Sequence, residues 1–449
     1  MDKSGENHPR TGKPCDFAPP KTLKDCVRHF TPAWFAVIMG TGAVDILWHN
    51  YPYLNDTRTF KTITLIIFFL NLTLFVIFTG LTISRYVLFP DIWGIMIRHP
   101  VQSLYIGTFP MGATTLINIG VGEIYQQYGF GHRGFLYALW AFWWADIVLS
   151  LVCVFAVVHV MKTRQDHALS RMTAIWLLPI VTVIVASSTG GILAPALMPF
   201  SRYDALITLT VSAFLVSVGL VLALMVLTTY FLRLIIYGVP QGASVISTFI
   251  PLGPMAQGGY SILLLGQGFR SVLPLANSSQ VLSDSHTGDI INVICVVAAF
   301  VLWALATMWL LYAFLAVQEV LRQGLFPFKL PVWGLIFPNG VYANLSIQLS
   351  RELDITSIRV WGAIYALLTL IVWAAVFLKT VSMLRKGQIF ESPCIEEIDM
   401  GRGVSSASAG KTQRDLTDDA EAGNGVAGRN TAAQWSGTTV STITASQTL

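Results

Sequence analysis

Two aspartates, Asp45 and Asp146, stand inside long apolar runs of this 449-residue chain. Ionisable groups at membrane depth are costly, and where they persist they mark ion paths, proton relays or buried pairs. Asp45 lies three residues beyond Gly42, so its carboxyl could approach a pore and couple a proton to transport; the plainer account is a shallow interfacial acid near His49. Asp146, among Trp143 and Trp144, reads as a structural hydrogen bond to another helix. His159 and Glu319 fall nearer helix ends.

Small polar residues recur in the same runs: Thr41, Thr114, Thr115, Asn118, Ser187, Ser188 and Thr189. Their hydroxyls and amide could solvate an ion, or equally join helices. No basic residue lies in the middle of these segments, so an anion there would be stabilised by dipoles and hydroxyls. Phe109 and Phe337 each precede a proline, Pro110 and Pro338, at equivalent positions of a repeated motif. A ring beside a kink could close a narrow apolar pore sterically or by dewetting; ordinary packing is the alternative in a chain with 26 phenylalanines.

The elements that position these residues show an alternation. Ten apolar stretches run through the chain, and the odd ones, about 31–50, 100–122, 173–195, 244–268 and 331–350, hold 24 Gly and Pro residues. The even ones, about 59–89, 135–162, 204–236, 289–320 and 356–384, hold Gly80, Gly219 and Gly362 alone. Irregular backbone at membrane depth survives only where protein buries it or a cavity adjoins it. The odd stretches therefore read as an inner wall and the even ones as a lipid-facing scaffold. The fold class expected is an all-α polytopic membrane protein.

The odd stretches also repeat one another: Thr108-Phe-Pro-Met-Gly112, Phe249-Ile-Pro-Leu-Gly253 and Ile336-Phe-Pro-Asn-Gly340, with looser copies around Pro32 and Pro179. The period is one helical hairpin, so successive copies keep one orientation. Five tandem hairpins around an axis normal to the membrane give quasi-fivefold symmetry and a central pore. The expected path is lined by Gly40, Thr41, Gly42, Pro110, Gly112, Thr114, Ser188, Pro251, Gly253, Pro338 and Gly340, with Phe337 and Phe109 as gate candidates. Proline interrupts backbone pairing and frees carbonyls, which favour cations, whereas helix N-termini favour anions. The sequence leaves open which end faces the pore.

Composition agrees with a membrane protein: 54% hydrophobic and 12% charged, against about 25% charged in soluble domains. Residues 1–27 read as a polar, basic cytosolic tail without a cleavable leader, 28–388 as the transport domain and 389–449 as a disordered cytosolic tail. With the N-terminus inside, 17 basic residues fall on inner segments and seven on outer loops, placing both termini in the cytosol. The sequons at Asn55 and Asn277 then lie outside, where glycosylation is possible, while those at Asn71 and Asn344 fall inside spans. The net charge of +4 serves insertion, which weighs against a nucleic-acid partner. The cysteines, Cys15, Cys26, Cys153, Cys295 and Cys394, form no CxxC pair and reach no outer loop, so neither disulfides nor a metal site is expected. HExxH, GxSxG and a phosphate-binding GxxxxGK[ST] are all missing, which argues against an enzyme, a cofactor or an ATP-driven pump.

At Phe30-Thr-Pro-Ala-Trp-Phe35, Met39-Gly-Thr-Gly42, His49-Asn-Tyr-Pro-Tyr53, Arg98-His-Pro-Val-Gln-Ser103 and Phe109-Pro-Met-Gly112 the chain resembles the tellurite-resistance/dicarboxylate transporter family. That family includes plant slow anion channels and yeast malate permeases, and the first span is most similar to its fungal sulfite-efflux branch. The likeness covers about 28–388. It implies ten helices as five hairpins, a central anion pathway, frequently a homotrimer with one pore per subunit, and a pore occluded by the residue at Phe337. The expected activity is export of sulfite or bisulfite across the plasma membrane. A malate or other C4-dicarboxylate transporter, or an anion channel of the same fold, is the alternative. Asp45 departs from what the channel members lead one to expect, and puts a purely passive channel mechanism in doubt.

Overall fold

The computed structural model describes residues 22–53, 57–275, 279–324, 327–386, 389 and 395. Asn55, Asn277, Cys15, Cys394 and nearly all of the two tails lie outside the described residues. Those described form helices and no strand.

The principal helices are α1 (Phe35–His49), α2 (Arg58–Leu88), α3 (Thr108–Ile119), α4 (His132–Val152), α5 (Leu178–Leu197), α6 (Arg202–Tyr237), α7 (Leu252–Val272), α8 (Thr287–Gln323), α9 (Ile336–Leu353) and α10 (Thr356–Arg385). Seven segments are long and apolar enough to cross a bilayer. Five of these, containing α2, α4, α6, α8 and α10, bury only 22–39% of their apolar window, whereas those containing α3 and α5 bury 78% and 94%. The smooth helices thus turn most of their apolar surface outward, as a lipid-facing layer must. At 36 residues α6 is about 54 Å long, well beyond the hydrocarbon thickness of about 30 Å.

The Gly- and Pro-rich helices pack in a closed cycle: α1 on α3, α3 on α5, α5 on α7, α7 on α9, and α9 back on α1. Each smooth helix straddles two of them, its own hairpin partner and the next: α2 touches α1 and α3, α6 touches α5 and α7, α10 touches α9 and α1. Tryptophans stitch the layers together. Trp143 Nε1 donates to Ala186 O, Trp303 Nε1 to Ser346 Oγ and Trp373 Nε1 to Thr41 Oγ1. Glycine permits the closest crossings: a Cβ on Gly190 would stand 2.0 Å from Ser212 Oγ, and one on Gly42 2.0 Å from Thr115 Oγ1.

The repeat prolines stand at helix starts and not in mid-span, contrary to the expectation of freed mid-span carbonyls. Each inner helix is preceded by a tighter three-residue-per-turn segment, at Pro32–Trp34, Gln102–Gly107, Ala174–Leu177, Gly242–Phe249 and Leu330–Leu335. Pro110, Pro179 and Pro338 fall in the first turn of α3, α5 and α9, and Pro251 immediately precedes α7. A first-turn residue has no i−4 acceptor for its N–H, and proline's fixed φ suits that place. Pro195, near the end of α5, is the interior exception.

Candidate functional site

Two compartments lie inside the cycle of inner helices. The larger, a vestibule of about 240 Å³, is lined by early-turn residues of all five: Ala36 and Met39, Thr108 and Met111, Leu178 and Val181, Gly253, and Phe337 with Pro338. Gln102, Ser244, Ser247 and Lys329 surround it from the lead-in segments and loops. The smaller, about 20 Å³, lies deeper along the same helices, against Ala43, Ile46, Thr115, Asn118, Val185, Gln257, Tyr260, Gly340, Val341 and Asn344. Among the described residues, Phe337 is the one that lines both. Phe337 itself is buried.

The spacing of the lining follows the helix. Ala36, Met39, Ala43 and Ile46 on α1, and Thr108, Met111, Thr115 and Asn118 on α3, recur every three or four residues on one face. The vestibule is at the N-terminal ends of the inner helices, where backbone dipoles present their positive end. That answers the question of orientation in the direction that suits an anion. Lys329 is the single charged residue on the vestibule wall among the described residues.

The site residues expected from sequence divide on inspection. Phe337, Pro338 and Gly253 line the vestibule, and Gly340 lines the deeper compartment. Phe109 lines neither: it points outward, its ring stacked on Phe75 at 5.4 Å and edge-on to Phe35 at 5.0 Å. Gly40 packs under Trp333 and Ile336, Gly42 against Thr115 and Asn71, and Gly112 under Ile38. Pro110 and Pro251 serve helix starts. Thr41 accepts from Trp373, and Thr114 turns back on Met111 O at 2.7 Å. Ser188 stands one layer behind the conduit, accepting from Gln257 Nε2 at 2.6 Å and so orienting a lining amide. Ser187 bridges three helices, donating to Ser212 O and meeting Ser261 Oγ, both at 2.6 Å. Asp146 finds its partner on its own helix, Ser150 one turn on at 3.5 Å, and not across an interface. Asp45 is buried at the α1–α3 contact, off the lining and not at a shallow surface. His159 and Glu319 are exposed.

Several lining residues were passed over: Met39, Met111, Gln257, Tyr260 and Asn344. Asn344 stood out in the sequence only as a sequon inside a span. The three–four periodicity around Phe337, running through Gly334, Val341 and Asn344, was the signal that could have found it.

A helical bundle with an outward apolar layer and two cavities inside its inner helices has the build of a membrane protein. Residues 29–381 match the voltage-dependent anion channel (SLAC1) family, and the chain belongs to it. It is 33% identical to the sulfite efflux pump SSU1 of Arthroderma benhamiae over 355 residues, 79% of this chain and 91% of that one. It is 26% identical to the sulfite efflux pump SSU1 of Candida albicans over 77% of this chain and 72% of that one. A more distant relative is the malic acid transport protein of Schizosaccharomyces pombe, 21% identical over 79% and 78% of the two chains. The family and these relatives are channels and transporters.

Proposed function

We propose that the chain exports sulfite or bisulfite, through a conduit that Phe337 closes at rest. The observation that carries this is the placement of Phe337 as the sole residue common to both compartments, in a ring of five helices starting at the vestibule. Likeness to sulfite efflux pumps along most of the chain supports the substrate.

In this reading ten spans form five hairpins in quasi-fivefold array, both termini are cytosolic and the vestibule opens inward. Lys329 and the inner-helix dipoles concentrate anions at the mouth. Beyond Phe337 the amides of Asn118, Gln257 and Asn344 replace lost hydration. An inside-negative potential favours outward anion movement by about 2.3 kcal/mol per charge per 100 mV, so export needs no ATP. The protein works in the plasma membrane as a homo-oligomer, a trimer by likeness to its family, with one conduit per subunit and residues 389–449 as a cytosolic tail. The tightness of the deeper compartment favours a small oxyanion over a C4 dicarboxylate.

The test is sulfite efflux from proteoliposomes holding the purified chain at a set voltage, beside malate flux in the same vesicles. Voltage-dependent sulfite efflux, lost in protein-free vesicles, is expected. Malate flux without sulfite flux would replace this reading with a dicarboxylate carrier.

A further inference from the structure

Past the deeper compartment, a corner between α1, α2 and the end of α3 collects buried polar groups that the conduit does not use. Gly120–Gln127 continues α3 in a wider turn of five residues per hydrogen bond, and Glu123 of that segment is 2% exposed. Such turns commonly mark functional places in helices. Glu123 Oε2 meets His49 Nδ1 at 2.8 Å, while Glu123 Oε1 has no partner among the described residues. Asp45, one turn before His49 on the same face of α1, is 1% exposed, and its Oδ1 has no partner among the described residues. Among the described residues, Asn71, across Gly42, has no partner for either of its amide atoms, and Asn118 beside the deeper compartment has none for Oδ1. Buried polar atoms are nearly always satisfied elsewhere, so a cluster of exceptions beside a conduit calls for a function.

His49 is the more accessible of the two partners. The His49 side chain is 29% exposed, against 3% for Glu123. Gly122 leaves His49 Nε2 room, since a Cβ there would stand 2.9 Å from it. A proton taken up at Nε2 allows the Nδ1 proton to pass to Glu123 Oε2, so the imidazole relays without net change. The charged groups on neighbouring elements are engaged otherwise or lie at the rim. Arg351 donates to Asn50 O, Arg359 pairs with Asp354, Arg133 stacks over Tyr137, and Arg58, Lys61 and His132 stand at helix starts.

Resting on the export reading, we propose that Asp45, Glu123 and His49 form a proton-exchange site whose occupancy sets how readily an anion passes Asn118. Two ionised carboxylates behind the wall repel an anion in the low-dielectric conduit; each proton taken up by the pair cancels one of the two charges and weakens that repulsion. Acid outside therefore opens the path, and alkali closes it.

The test uses the full chain in proteoliposomes, with bisulfite activity held constant while external pH is varied from about 5 to 8, the range in which an unperturbed histidine titrates. Wild-type efflux is expected to rise about fivefold or more toward acid, a usual size for coupling between sites. Asp45→Asn, which permanently removes one of the two charges, should give faster efflux with a flattened pH profile, and Glu123→Gln should do the same. A wild-type profile retained in both variants overturns the proposal. If the wild type moves no sulfite, the export reading falls, and infrared titration still decides the site. A protonated-carboxyl carbonyl stretch present in the wild type and absent from Asp45→Asn supports it, and the same stretch in both overturns it.

Discussion

Tyr365 of α10 donates a 2.5 Å hydrogen bond to Asn339 Oδ1, two residues beyond Phe337, and Asn339 Nδ2 returns to Leu335 O at 2.6 Å. The outer layer thereby fixes the first turn of the helix that carries Phe337. Tyr365→Phe leaves a buried amide oxygen unsatisfied, at a cost of about 1–3 kcal/mol. Lower thermal stability in detergent together with raised resting anion leak is expected. Lower stability with unchanged leak would detach this bond from the gate.

Phe337→Ala should raise resting anion conductance, and Phe337→Leu should do so less. A tenfold leak corresponds to removal of about 1.4 kcal/mol of barrier. Voltage-clamped flux at matched protein density reads this, and an unaltered leak in Phe337→Ala would remove the gate assignment. Phe109→Ala supplies the contrast, because its ring packs on Phe35 and Phe75 away from the path: stability should fall while resting leak stays low.

Glycines in the inner layer should separate by what faces them. A Cβ on Gly42 meets Thr115 and Asn71, so Gly42→Ala overpacks a three-helix contact and should destabilise by about 1–3 kcal/mol. A Cβ on Gly253 meets nothing within 4 Å and projects toward the vestibule. Gly253→Ala should melt within about 0.5 kcal/mol of the wild type. Equal melting of the two variants would contradict these packings.

Lys329→Gln should slow sulfite efflux mainly at low internal anion concentration, and the defect should shrink as salt screens the mouth. Lys329→Arg should restore the rate. A defect equal at all concentrations would place Lys329 outside anion recruitment.

Outside the spans, His167 is half-buried against Trp176, its rings 4.9 Å apart, and Nε2 lies 3.0 Å from Gln165 Oε1. Burial, outweighing the nearby Asp166 charge, holds its pKa below the ordinary 6.5. The folded loop then binds fewer protons than the unfolded one, so this stability is present above pH 6.5 and lost as pH falls through and below it. Hydrogen exchange over 165–171 should quicken in acid, and His167→Gln should flatten that dependence. Exchange independent of pH in the wild type would contradict it.

The sequence by itself determined the two classes of helix. Hydropathy and the placing of glycine and proline act on each segment alone, so the smooth runs declared their lipid-facing role and the glycine runs their buried one. The repeated Phe-Pro motif marked Phe109 and Phe337 alike and did not separate them. Only the tertiary structure decided which face of each inner helix meets the conduit. Phe109 and Phe337 share a motif, yet one ring turns out against Phe35 and Phe75 and the other turns in. Likewise Thr41 and Gly42 went to helix contacts while Gln257 and Asn344 reached the path. A helix's rotation about its own axis is set by side chains of other segments far away in the chain, and no local pattern of residues contains that information.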